Sequence, residues 1–265
     1  MKGKKNINEL WDDAAADAET EKIRGRYLTD IFLEPVKIAL KEIQREKKRR
    51  IRIFKCDLWN EGIDLQRNIL AHIKGQSREI HGADISYLTC KKAKKNTRGI
   101  TAANCSITYL PYRQESFDVL LDMSTSDHLP ARDMGDAFKE YRRVLNKEGI
   151  AVIIFDWWGF FWKIYFLYLH RMKKRDDTFF KGSKVPSRYI HPIGFMKKTL
   201  AKAGFSILHE YCIDYTGWTW NRLTRPVYER LPYSFYRALV RIEYSWISKY
   251  LRPFAKQYVI IAKAD

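Results

Sequence analysis

Short apolar runs alternate with amphipathic stretches through the centre of the chain. Four of these runs predict strands because they are short and apolar, and they cover residues 51–54, 78–83, 117–121 and 150–155. Three stretches between them predict helices, at residues 63–73, 86–96 and 133–146. This alternation favours an α/β fold with a mostly parallel sheet and helices on both faces.

The flanking regions extend the same pattern. Residues 7–29, which are rich in alanine and acids, predict a helix. A second helix is predicted to begin near Pro35, because proline suits the first helical turn, and to run into the basic residues 47–50. Beyond residue 156, the predicted elements are a helix at 192–203, a strand at 204–208, an amphipathic helix at 234–251 and a final strand at 258–262.

The most apolar stretch, Ile150 to Leu169, has the length of a membrane span, but Asp156 and Lys163 lie inside it. A charged residue at the centre of a bilayer costs roughly 2.5–3.5 kcal/mol on the insertion scale. We therefore interpret this stretch as a buried strand that breaks at Gly159 and is followed by an aromatic helix.

Composition places these elements in one α/β domain with helical elaborations, since the chain has 265 residues of which 46% are hydrophobic. The net charge of +18 leaves four explanations open: nucleic acid, an anionic membrane surface, an acidic small substrate, or solubility alone. The four cysteines form no CxxC pair, which argues against a zinc site, and we predict no metal. Scattered thiols and a polar N-terminus predict a cytoplasmic protein.

Three passages carry a resemblance to a known family. They are residues 80–86, where an apolar strand ends in an acid; residues 110–119, LPYRQESFDV; and residues 124–130, STSDHLP, followed by residues 140–149, EYRRVLNKEG. In this order and with this spacing they resemble the class I S-adenosylmethionine-dependent methyltransferases of the small-molecule type. The resemblance covers roughly residues 50–156, Gly204-Phe205 and the last strand.

The resemblance implies a fold, a methyl donor and a division of the chain. We expect an α/β, Rossmann-like, doubly wound sheet of seven mostly parallel strands with helical inserts, and S-adenosylmethionine as the cofactor. Residues 1–49 are expected to form an N-terminal helical cap and residues 50–156 the cofactor-binding half. Residues 157–265 are expected to supply the rest of the sheet, with aromatic and basic inserts on the acceptor side.

The family also implies residues that contact the cofactor. Its second strand ends in an acid that accepts hydrogen bonds from both ribose hydroxyls, and Asp84 is at the matching position, although an acid there also suits a helix cap. Where the family usually has an adenine-binding Asp, Ser106 has the usual spacing and Asn104 is an alternative. Ile85 and Ser124 are further expected contacts.

One departure concerns the loop after the first strand, which is glycine-rich in the family. Here only Gly62 remains, and Lys55 stands where an acid is usual. The segment resembles a divergent subgroup in which Asp57 and Glu61 would supply acceptors near the cofactor's amino group. The alternative is a degenerate loop that no longer binds cofactor.

Methyl transfer from a sulfonium depends mainly on positioning and desolvation, and a general base is needed only where the acceptor must lose a proton. His128 is the candidate base because it lies on the loop after the fourth strand, and Asp127 is a candidate to orient it. Capping or packing is an equal alternative for this pair. Tyr189 and His191 are further candidates for the acceptor pocket.

Two segments, residues 160–175 and 216–252, mix aromatic residues with cations. Such a mixture suits an anionic lipid surface, single-stranded RNA, or an ordinary core with a basic outer face. The leading hypothesis is a methyltransferase for a small or lipid-linked acceptor, peripheral at the inner face of the membrane. An RNA methyltransferase and a catalytically silent scaffold are the alternatives, and the sequence leaves the oligomeric state open.

Overall fold

A computed structural model describes most of the chain. The described residues are 6–17, 25–46, 51–63, 68–157, 159–161, 163–164, 189–215 and 231–265. The helices are α1 (Ile7–Asp17), α2 (Gly25–Glu46), α3 (Trp59–Gly62), α4 (Ile69–Ile73), α5 (Tyr87–Asn96), α6 (Ala131–Val144), α7 (Ile193–Lys202) and α8 (Tyr233–Glu243). The strands are β1 (Ile51–Lys55), β2 (Ser77–Asp84), β3 (Ile100–Asn104), β4 (Phe117–Met123), β5 (Leu145–Asp156), β6 (Phe205–Ile213) and β7 (Gln257–Ala264).

The seven strands form one sheet in the order β3-β2-β1-β4-β5-β7-β6. The first five in this order pair in parallel, whereas β7 runs antiparallel to both β5 and β6. The predicted Rossmann-like sheet of seven mostly parallel strands is therefore confirmed.

Both faces of the sheet are buried, because successive side chains of a strand point to opposite sides. On one face, Ile53 and Val119 pack with residues of α2, α4, α5 and α8. On the other face, Phe54 and Leu120 pack with residues of α6 and α7. All four strand side chains are fully buried, which explains why these strands read as continuous apolar runs.

The N-terminal helices differ from the prediction. The first helix ends at Asp17, and the second begins at Gly25, so that Pro35 lies in its interior. A proline at this position cannot donate to the carbonyl four residues earlier, that of Ile31. The Tyr244 hydroxyl donates to that carbonyl instead, at 2.7 Å. The prediction that α2 begins near Pro35 is wrong, because a distant side chain satisfies the carbonyl that the proline leaves without its usual donor.

Three further elements differ from the sequence pattern. Strand β3 was missed, since its centre, Thr101 to Ala103, consists of small residues. Of the predicted helix 63–73, the structure has α4, while α3 ends before it begins and residues 64–67 lie outside the described part. The helix predicted over 234–251 ends at Glu243, because the Ser245 hydroxyl accepts the Ile247 amide at 3.2 Å and starts a short 3₁₀ turn.

No helix among the described residues is long and apolar enough to cross a membrane. The first part of the apolar stretch from Ile150 is β5, a central strand of the sheet. Residues 165–169 lie outside the described residues.

The parallel strands place their carboxyl ends along one edge of the sheet. These ends are Lys55 of β1, Asp84 of β2, Asn104 of β3, Met123 of β4 and Asp156 of β5. In open α/β sheets this edge is where ligands bind.

Candidate active site

The carboxylate of Asp84 ends β2 and is held by two backbone amides. The Leu58 amide donates to Oδ2 at 3.0 Å, and the Ser86 amide donates to Oδ1 at 2.9 Å. Burial raises the pKa of Asp84 to about 7, and the two amides offset part of that shift. The cap of α5 is Ser86, whose hydroxyl accepts the Thr89 amide at 3.0 Å. Asp84 is thus not the capping residue of α5.

The end of β3 lies against the end of β2. Asn104 is exposed, and its Nδ2 donates to the carbonyls of Asp84 and Ile85, each at 2.9 Å. This leaves Oδ1 as the acceptor atom of the side chain. The hydroxyl of Ser106 contacts that of Thr108 at 2.8 Å, within the turn that follows β3.

A buried lysine organises the turn after β1. The side chain of Lys55 is fully buried, and its Nζ lies 2.9 Å from Asp57 Oδ1 and 3.0 Å from Glu61 Oε2. It also donates to the Asp57 carbonyl at 2.7 Å. Burial alone lowers the pKa of Lys55, but the two carboxylates outweigh it and hold that pKa above its ordinary value.

The two acids around Lys55 have different surroundings. Glu61 is fully enclosed, and its Oε1 accepts the Leu70 amide at 3.3 Å. Burial raises the pKa of Glu61, while Lys55 opposes that shift. Asp57 retains 16% of its side-chain exposure at the carboxyl edge. Of the two predicted acceptors in this turn, Asp57 is the one with an accessible carboxylate.

The chain turns sharply after β4. Ser124 adopts a left-handed conformation with φ 67°, and its amide donates to the Ile154 carbonyl at 2.8 Å. The next residue, Thr125, donates its hydroxyl to Asp57 Oδ2 at 3.1 Å and so ties this turn to that of β1. The buried Asp122 accepts the Thr125 amide at 2.8 Å and so stabilises the turn from its interior side.

Helix α1 lies across this edge of the sheet. The indole of Trp11 meets the His128 ring edge to face, with the centroids 4.7 Å apart, and meets Trp59 at 6.0 Å. The carboxylate of Asp12 accepts the Ser86 hydroxyl at 2.5 Å and the Leu88 amide at 3.0 Å. Helix α1 thus contacts the segments that follow β1, β2 and β4.

The segment before α7 packs beside the turn that contains His128. The Tyr189 amide donates to the Asp127 carbonyl at 2.6 Å, and Asp127 Oδ2 accepts the Asp156 amide at 3.1 Å. His191 is buried with its Nε2 3.0 Å from the Leu129 carbonyl. Burial lowers the pKa of His191, so its ring is neutral near pH 7, and Nε2 carries the proton because a carbonyl can only accept.

The structure adds site residues that sequence reasoning missed. These are Lys55 as a structural cation, the Leu58 amide, Thr125, and Trp11 with Asp12 of α1. The one signal in the sequence was the lysine at a position where the family has an acid. Neither Trp11 nor Asp12 stands out from an ordinary amphipathic helix. Within the described ranges, no group of three or more His, Cys, Asp or Glu side chains is arranged to hold a metal ion.

Residues 62–153 match a family model described as "Methyltransferase domain". The matched segment runs from the end of α3 into β5 and contains Asp84, Asn104, Ser124 and His128. No curated protein matches the sequence.

Solved structures share the fold over most of the chain. One is a putative sarcosine dimethylglycine methyltransferase from Galdieria sulphuraria, with 15% identity, 89% of this chain and 84% of that chain covered, and a TM-score of 0.55. A second is the geranyl diphosphate C-methyltransferase from Streptomyces coelicolor A3(2), with 12% identity, coverage of 87% and 76%, and a TM-score of 0.56.

A third is the 1,6-didemethyltoxoflavin-N1-methyltransferase of Burkholderia thailandensis, solved with bound 1,6-didemethyltoxoflavin and S-adenosylhomocysteine. Its identity is 11%, with 98% of this chain and 88% of that chain covered and a TM-score of 0.56. At such low identities these structures establish the shared fold. The resemblance to class I methyltransferases is confirmed by the domain match and by this fold.

Proposed function

We propose that S-adenosylmethionine binds to this class I methyltransferase at the carboxyl ends of β1 to β4, and that the methyl group goes to a small acceptor. The observation that carries this proposal is Asp84, a partly exposed carboxylate held by the amides of Leu58 and Ser86. Each oxygen of an ionised carboxylate has two acceptor sites, so both retain one for a ribose hydroxyl.

The other donors and acceptors at this edge fit the rest of the cofactor. Asn104 Oδ1 is an exposed acceptor of the kind that an adenine amino group requires. Asp57 supplies an accessible carboxylate for the α-ammonium group of the methionine part. The three acceptors lie at the ends of β2, β3 and β1, which are adjacent in the sheet.

When bound, S-adenosylmethionine supplies a methyl group that is already activated by its sulfonium. The chain's own residues then have to position the acceptor, exclude water and receive a proton where the acceptor carries one. We assign the last role to His128, whose ring lies under Trp11 on the turn after β4. Trp11 and Trp59 would exclude water above it.

Calorimetric titration tests the cofactor assignment. We expect S-adenosylhomocysteine to bind with micromolar affinity and ATP, which has the adenosine part but no methionine part, to bind much more weakly. His128→Ala should then leave the affinity for S-adenosylhomocysteine unchanged and lower kcat for an acceptor that must lose a proton. Wild-type protein that binds neither S-adenosylmethionine nor S-adenosylhomocysteine would favour the silent scaffold.

Two of the structural neighbours support a small acceptor. They are named for geranyl diphosphate and for 1,6-didemethyltoxoflavin, which are both small molecules. We further propose that the acceptor is linked to a lipid and is reached at a membrane. This second proposal depends on a different surface of the protein.

We propose that two groups of rings form this surface, which we call the aromatic face: Phe160 and Phe161 with Phe254, and Trp246 with Tyr250. Phe160 is 62% exposed, Trp246 is 72% exposed and Tyr250 is 64% exposed. Phe161 stacks on Phe254 with the centroids 4.5 Å apart, which joins the segment after β5 to the segment before β7. The aromatic face therefore adjoins the same carboxyl edge as the proposed methyl-transfer site.

Cations lie close in the sequence to the rings of the aromatic face. Residues 244–256 contain Lys249, Arg252 and Lys256 and no acid, and Lys163 is the charged residue of the segment 159–164. The Nζ of Lys249 lies 4.9 Å from the centre of the Tyr250 ring. Exposed aromatic rings beside cations are typical of a surface that enters the headgroup region of an anionic bilayer.

Other aromatic residues of the segment 216–252 have a packing role instead. Tyr244 donates to the Ile31 carbonyl, and Tyr233 donates to Asp30 at 2.5 Å, so both serve the packing of α8 on α2. Trp218, Trp220, Arg222 and Arg225 lie outside the described residues, as does most of the segment 160–175. The aromatic face is thus defined from the described residues alone.

Vesicle flotation tests the membrane proposal. We expect binding to vesicles that contain about one third phosphatidylglycerol, weaker binding to pure phosphatidylcholine, and loss of binding in the double variant Phe160→Ser/Trp246→Ser. Tyr109→Ser is the matched control because Tyr109 is 78% exposed on another part of the surface. Retention of a single-stranded RNA with no vesicle binding would favour the RNA alternative, and binding of neither would leave a small soluble acceptor.

A further inference from the structure

The ion cluster after β1 is unusual because its central charge is completely buried. The ammonium of Lys55 has three protons, and three oxygens surround it: the Asp57 carbonyl at 2.7 Å, Asp57 Oδ1 at 2.9 Å and Glu61 Oε2 at 3.0 Å. Transfer of an ion out of water costs several kcal/mol even after relaxation. An apolar residue at the end of β1 would avoid that cost, so the cluster calls for a further explanation.

Two of the three contacts of Lys55 go to one residue. Its ammonium holds both the carbonyl and the carboxylate of Asp57, which fixes the backbone and the side chain of that residue together. The Thr125 hydroxyl holds the second carboxylate oxygen at 3.1 Å. Asp57 is therefore the accessible end of a chain of contacts that begins in the interior at Glu61.

The charges of the cluster also fit a ligand cation. With both carboxylates ionised, Lys55, Asp57 and Glu61 together carry one negative charge. Because Glu61 is enclosed and Asp57 is 16% exposed, that charge faces the carboxyl edge through Asp57. An ammonium group of a ligand would find one accessible carboxylate in a fixed orientation.

We infer that Lys55 is a positioning residue that fixes Asp57 to receive the α-ammonium group of the cofactor's methionine part. The inference rests on the proposed cofactor site, and it places a fixed side-chain carboxylate where the backbone of a glycine-rich loop would otherwise approach the methionine part. Gly62 remains for a different reason, since a Cβ there would lie 2.7 Å from the Thr89 carbonyl and push α3 away from α5. Lys55 does not touch the cofactor in this scheme.

The test compares two ligands that differ only in the amino acid part. S-adenosylhomocysteine has it, and 5′-methylthioadenosine lacks it while keeping adenine, ribose and sulfur. The variant is Lys55→Met/Glu61→Met, which removes both buried charges together, because Lys55→Met alone would leave Glu61 as an unpaired buried ion. Lys197→Met is the control, since it breaks an ion pair with Glu210 between α7 and β6, away from this edge.

We expect the double variant to bind S-adenosylhomocysteine about tenfold more weakly and 5′-methylthioadenosine with unchanged affinity. Equal weakening of both ligands would show a merely structural role and overturn the inference, as would unchanged affinity for both. If the double variant fails to fold, Lys55→Met/Glu61→Gln gives the same comparison, since the glutamine keeps an acceptor for the Leu70 amide. Wild-type protein that binds neither ligand would instead overturn the proposed function on which the inference rests.

Discussion

The ends of β1 and β2 each hold a carboxylate at the same edge of the sheet, but with different partners. Asp57 at the end of β1 is held by the full charge of a buried lysine. Asp84 at the end of β2 is held by two backbone amides. The Leu58 amide, which belongs to the β1 turn, is one of those two donors and links the two ends.

This difference has a consequence for charge. Amides only partly offset the burial of Asp84, whose pKa rises to about 7, so its charge is partly lost near neutral pH. At β1, the neighbouring carboxylates raise the pKa of Lys55, so this side chain stays charged at every pH near neutrality. The acid that is held by amides, Asp84, therefore titrates near neutral pH, whereas Asp57 belongs to a cluster whose cation does not titrate there.

The largest effect is expected at the β2 end. Asp84→Ala should weaken the binding of S-adenosylhomocysteine by at least about 100-fold, since hydrogen bonds to a charged group contribute about 1.5–3 kcal/mol each and two would be lost. Asp57→Asn should cost about tenfold. Calorimetric titration measures both, with Asp136→Ala, an exposed acid on α6, as the control. A larger loss at Asp57 than at Asp84 would reverse the comparison.

The next effect is a pH dependence that belongs to β2 alone. The ribose hydroxyls need an ionised acceptor, and Asp84 in the free protein takes up a proton as the pH falls through about 7. The affinity for S-adenosylhomocysteine should therefore fall by up to about tenfold for each pH unit between pH 7 and 5, and level off above pH 8.

The variant Asp84→Asn should have a lower affinity without this slope. Dissociation constants measured from pH 5 to pH 8.5 for the wild type and this variant check the prediction. A slope that persists in Asp84→Asn would assign the titration to another group and remove the contrast between the two strand ends.

The smallest effect concerns α1, which contacts both ends. Asp12→Ala removes its contacts on the β2 side, with Ser86 and Leu88, and Trp11→Ala removes those on the β1 and β4 side. Each should speed the dissociation of S-adenosylhomocysteine by about three- to tenfold, since the loss of a capping interaction costs about 1 kcal/mol.

A chase with unlabelled ligand measures both dissociation rates. Trp11→Ala should also raise KM for the acceptor, because Trp11 covers His128, while Asp12→Ala should not. An equal effect of the two variants on KM would show that α1 acts only as one rigid cover.

The sequence predicted much of this architecture where local pattern decides it. The buried strands β1, β4 and β5 contain short, mostly apolar runs, and Asp84 ends another strand just before a capping serine. These features are local, so a single sequence shows them. The domain match and the fold confirm the class of protein, while the roles of the individual site residues stay predictions.

The features that the sequence did not show depend on distant partners. Pro35 is tolerated inside α2 because the Tyr244 hydroxyl, more than two hundred residues away, serves the carbonyl of Ile31. Lys55 was visible as a departure from the family, but its burial between Asp57 and Glu61 depends on how the turn folds back. Trp11 and Asp12 reach the site only because α1 crosses the edge of the finished sheet.

The position of α1 also sets an order of events during synthesis. Asp12 leaves the ribosome before Ser86, which lies 74 residues further along the chain. At roughly 5–20 residues per second, the helix waits about 4–15 s before its partner exists. Helix α1 can therefore make these contacts only after the segment that follows β2 has been made, and the carboxyl edge is completed by a segment of the chain that was made before any strand of the sheet.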